Sequence, residues 1–63
     1  MTTTPKPTPE QIAVALEEIE VLASGHRETE RKYAAIGHSI LAGLYCRRAA
    51  ALEAVAKWLE EMK

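Results

Sequence analysis

The residues able to do chemistry are few and scattered. His26, His38 and Cys46 stand twelve and then eight residues apart. Zinc ligands within one element usually lie roughly two to five residues apart, so these three do not form a metal site on one helix face. No nucleophile, base and orienting group cluster together, and no glycine-rich phosphate loop is present. The sequence therefore predicts no catalytic, cofactor-binding or metal-ligating residues, and no enzyme activity. Recognition chemistry is better represented. Arg47 and Arg48 stand two and three residues after Tyr45, and Arg27 and Arg31 lie one helical turn apart. Guanidinium groups beside an aromatic ring suit binding to a protein or a phosphate. Tyr45, Arg47, Arg48, Arg27 and Arg31 are the candidate partner-binding residues.

These side chains must be positioned by helices. Thr8-Pro9-Glu10-Gln11 is the clearest local signal: Thr8 as cap, Pro9 at the first helical position, and Gln11 closing a capping box. A first helix is expected over about 9–24, with Ile12, Ala15, Leu16, Ile19, Leu22 and Ala23 on one face. Ser24-Gly25 reads as its end, Gly25 taking the left-handed conformation. Residues 1–8 read as a disordered polar tail. A long second helix is expected over about 27–62. A break at Gly37-His38-Ser39, capped by Ser39, would instead give a three-helix bundle. No Pro, Asn or Asp supports that turn, and the apolar rhythm runs through it, so a continuous helix kinked at Gly37 is the expectation.

Within the second helix, Leu41, Arg48, Val55 and Met62 share one heptad position. Leu44, Ala51 and Trp58 follow three residues on, and Tyr45, Leu52 and Leu59 four residues on. A neighbouring row, Ala35, Ala42, Ala49 and Ala56, would let another helix approach closely, although Ala is also simply the best helix former. Arg48 inside the apolar band calls for a pairing, and Glu17, Glu18 and Glu20 have no cation within reach on their own helix. Glu28–Lys32 and Glu53–Lys57 are ordered for in-helix ion pairs.

A hinge at Gly25 lets the short helix cover the long one only to about Ala42. The strip beyond then needs a cover, and a second copy is the simplest one. The expected dimer interface is Leu41, Leu44, Tyr45, Leu52, Val55, Trp58, Leu59 and Met62. Trp58 with Leu59 and Met62 could alternatively dock into a partner's groove. The fold class is thus all-α, a helical hairpin with a long second helix, forming an antiparallel bundle as a homodimer.

Composition agrees with that need. Of 63 residues 48% are nominally hydrophobic, but eleven are Ala. A core this small supplies no more than about 3–5 kcal/mol. Cys46 is the single cysteine, which excludes an internal disulfide and fits a reducing compartment. Net charge is −1, with glutamates gathered in residues 1–25 and arginines in residues 26–48. No apolar run is long enough for a bilayer and no signal-peptide core is visible, so a cytoplasmic protein without a membrane partner is expected.

A short head, a helix, a Ser24-Gly25 turn and a longer helix resemble the small phage-encoded helical proteins that disable a host protein, such as quorum-sensing anti-activators. The same outline is similar to the Rop-type RNA-binding hairpin. The first resemblance implies a dimeric module that regulates or inhibits a protein partner. The second implies an RNA-binding dimer. A structural assembly subunit is a third reading.

Overall fold

In the computed structural model, which describes residues 5–62, two α-helices pack as a hairpin: α1 (Pro9–Ala35, 27 residues) and α2 (Ser39–Met62, 24 residues). The start of α1 follows the sequence signal. The Thr8 hydroxyl accepts from the Gln11 amide (3.1 Å), and the Thr8 amide donates to Gln11 Oε1 (2.9 Å). Residues 5–8 precede the helix; the rest of the predicted tail, residues 1–4, lies outside the described residues.

The hinge corrects the sequence reading. α1 continues through Ser24 and Gly25, and the chain reverses at Gly37, where φ is +78°. There the Gly37 amide donates to the Ala34 carbonyl (3.1 Å) and the His38 amide to the Tyr33 carbonyl (2.9 Å). This is a Schellman ending, with glycine at the one position whose backbone disfavours a side chain. The Tyr33 and His38 rings meet edge-on at 5.8 Å and supply the side-chain contact that accompanies such endings. His38 then opens α2: its carbonyl accepts from the Ala42 amide (3.0 Å) and its Nδ1 from the Leu41 amide (3.4 Å). His38, and not Ser39, occupies the cap.

The expected boundaries of 9–24 and 27–62, and the unequal lengths, therefore give way to two helices of similar length. Glycine inside a helix costs only about 1 kcal/mol. That penalty at Gly25 is smaller than the apolar surface an unequal hairpin would leave bare. The apolar rhythm through the true turn is carried by Ile36 and Ile40, which face solvent at 74% and 80% exposure. It was no evidence of a continuing helix.

Packing follows heptad rows. Ile12, Ile19, His26 and Tyr33 of α1 approach α2, and Leu16 and Ala23 flank them; each is buried or half-buried. From α2 come Tyr45, Leu52 and Leu59, with Ala42, Ala49 and Ala56 beside them. Ala49 is wholly buried and Ala42 and Ala56 half-buried, so the α2 members of the alanine row serve close helix approach, whereas Ala35 ends α1 and is exposed. Among the described residues only Ile12, Ala23, Ala49 and Leu59 are buried. The hairpin is one helix layer, with extents of 48 × 24 × 15 Å.

Candidate protein interface

Two long edges flank the seam, and they differ in chemistry. One is ionic. Arg27 grips Glu53 of α2 with two nitrogens, Nη2 to Oε1 at 2.7 Å and Nε to Oε2 at 3.0 Å. Its Nη1 donates to Glu30 Oε1 (3.0 Å) and to Cys46 Sγ (3.5 Å). The hydrogen bond from Arg27 holds the Glu53 carboxyl below the usual glutamate range, and the two acids bind the arginine's proton more tightly still. Every nitrogen of Arg27 is thus engaged within the hairpin, so this candidate partner-binding residue ties the helices together instead. Glu53 turns to Arg27 rather than to Lys57, and neither in-helix pair expected from spacing, Glu53–Lys57 or Glu28–Lys32, forms.

The other edge is aromatic. Tyr45 stacks on Tyr33 (centroids 5.8 Å, planes 9° apart) and meets His26 at 5.7 Å. The Arg48 guanidinium lies 5.4 Å from the Tyr45 centroid, a cation–π position. Sequence reading singled out Tyr45 and Arg48 but missed Tyr33 and the role of both histidines. The signal was there: His26 and Tyr33 are seven residues apart, as are His38 and Tyr45. Ring pairs across a seam follow from that repeat once the hinge is placed at Gly37.

The expected dimer-interface residues divide among three settings. Leu59 is buried between the helices, and Tyr45 and Leu52 are half-buried in the seam. Leu41, Val55 and Met62 flank the aromatic edge, Leu41 half-buried and the others exposed. Leu44 and Trp58 belong to the outer side of α2, where Leu44 is half-buried and Trp58 is 59% exposed. Arg47 shares that outer side with Ile40: residues 40, 47 and 58 fall in line at seven- and eleven-residue intervals. Arg31 is exposed beside the ionic edge.

Among the described residues, no three His, Cys, Asp or Glu side chains gather where they could hold a metal ion. No described helix is long and apolar enough to cross a membrane. No protein family, curated protein or solved structure matches the chain.

Proposed function

We propose that the protein is a non-enzymatic binding module of the cytosol that regulates or inhibits a protein partner, presenting the outer side of α2 to a groove on that partner. One observation carries the reading. Ile40 (80% exposed), Arg47 and Trp58 line up on one side of α2 and are absent from both the seam and the internal ion pairs. Large apolar anchors at helical intervals around an arginine are the pattern by which a helix lies in a groove.

The test is affinity capture from cytosol with wild-type protein, Ile40→Glu and Trp58→Ala in parallel. A protein retained by wild type and lost with both variants, at unchanged helicity, supports the reading. Equal retention by all three overturns it. Arg47→Ala should weaken the same capture, by about 2 kcal/mol if Arg47 sits at the interface centre.

A second reading, a Rop-like RNA or nucleic-acid binder, is favoured by the exposed Arg31, Lys32, Arg47 and Arg48 near the turn. A salt titration separates the two. Phosphate contacts make affinity fall steeply with salt, whereas an apolar groove contact does not.

A further inference from the structure

The aromatic edge raises a question separate from the outer side of α2: what covers it. We infer that it is the seat of a second copy of this chain, laid across it antiparallel, so that two hairpins form a four-helix bundle. The inference stands whether or not the outer side of α2 binds a partner.

Placement comes first. His26 and Tyr33 meet Tyr45 on one side of the seam, while Arg27 meets Glu53 on the other. On α1, the heptad row next to His26 and Tyr33 on the aromatic side is Ala15, Leu22 and Thr29. On α2, the row next to Tyr45 on that side is Leu41, Arg48, Val55 and Met62. Both rows therefore border one continuous face. Leu22, Val55 and Met62 are exposed on it, and Arg48 is the one charge in its two rows.

Three features fit a second copy. A single layer of helices, 15 Å thick, lacks the second layer against which a stable domain buries its apolar stripes. The broad side, 48 × 24 Å in outline, is wide enough to seat an interface of the roughly 800 Å² per partner that a stable complex uses. Third, charge is polarised along the hairpin. Residues 26–48, the turn end, hold five cations against Glu28 and Glu30; residues 9–25 and 49–62, the open end, hold seven glutamates against Lys57.

That polarity selects the orientation. A parallel pair would set turn end against turn end, both positive. An antiparallel pair sets each positive turn end beside the partner's negative open end. The repeat also brings a specific pair into register. Arg48 lies on the turn side of the hairpin's middle and Glu18 on the open side. At ~1.5 Å per residue, a two-fold axis through the middle carries Arg48 of one copy to within about one helical turn of the level of Glu18 of the other, measured along the bundle, with the two on diagonal helices. Glu18 is exposed and, like Arg48, makes no ion pair inside the hairpin.

The experiment combines sedimentation with charge reversal and distance measurement. Wild type at micromolar concentration should sediment at twice 7.0 kDa. Leu22→Glu should abolish the dimer, whereas Ile40→Glu, on the outer side of α2, should leave it intact. Because Leu22→Glu can also unfold the chain, Arg48→Glu and Glu18→Lys are made singly and together. Each single change should raise the dimer dissociation constant about tenfold, and the double reversal should restore it. Spin labels on Ala35→Cys in a Cys46→Ser background should lie roughly 30 Å or more apart, against roughly 20 Å or less for a parallel pair. A fully helical wild-type monomer, a dimeric Leu22→Glu, no rescue by the double reversal, or the short label distance would each overturn the inference.

Discussion

The two edges of the hairpin join the same helices by opposite means. On the ionic edge one arginine reaches across to a glutamate, and both side chains remain substantially in water. On the aromatic edge Tyr33, Tyr45 and His26 meet through ring faces, with Arg48 lying over Tyr45. Exposed ion pairs contribute little stability, because solvent screens them and two long side chains must be held still. Ring burial is less sensitive to salt and scales with area removed from water. The comparison assigns the larger share of the hairpin's stability to the aromatic edge and the smaller, salt-sensitive share to the ionic one.

Tyr45→Ala should therefore produce the largest loss, about 2–3 kcal/mol in urea denaturation, since it removes the ring that Tyr33, His26 and Arg48 share. A loss below about 0.5 kcal/mol would remove the contrast between the edges. A double-mutant cycle of Tyr33→Leu with Tyr45→Leu isolates the stack itself. Its coupling should be about 0.5–1.5 kcal/mol, and a cycle with no coupling would reduce the pair to ordinary apolar contact.

Glu53→Gln should give the smallest change, and one that depends on pH. The Glu53 carboxyl is held below its ordinary range in the folded protein, so its contribution is complete above that range and fades as pH falls through the lowered value. The gap between wild type and Glu53→Gln should stay constant near neutrality and close on acidification. It should also narrow in high salt, unlike the Tyr45 effect. A gap that widens toward acid would have the wrong sign for this pairing.

Much of the architecture was legible in the residues. Thr8, Pro9 and Gln11 announced the start of α1, and the alanine row announced a close approach that Ala49 now makes. What misled was a choice between two similar glycines, each followed by histidine: Ser24-Gly25-His26 and Ile36-Gly37-His38. Residues 26–32 look like the charged start of a new helix because their inward members are His26, Arg27 and Glu30, polar residues whose packing is set by partners on the other helix. The unequal hairpin itself carried the clue. A hinge that strands half of one helix without intramolecular cover is disfavoured against one that pairs both along their length. Site residues were only half legible for the same reason: Arg27 and Tyr33 acquire their roles from across the seam, which single-helix spacing does not show.

Everything above depends on where the chain turns, and two glycine substitutions test that most directly. A Cβ added at Gly25 meets nothing within 4 Å in the interior of α1, whereas Gly37 has φ +78°, which side chains resist. Thermal unfolding of Gly25→Ala should show a gain of about 1 kcal/mol, raising Tm by about 4–8 °C. Gly37→Ala should lower Tm by a comparable amount through left-handed strain. The opposite pattern, Gly25→Ala destabilising and Gly37→Ala stabilising, would move the hinge back to Gly25 and dissolve both edges.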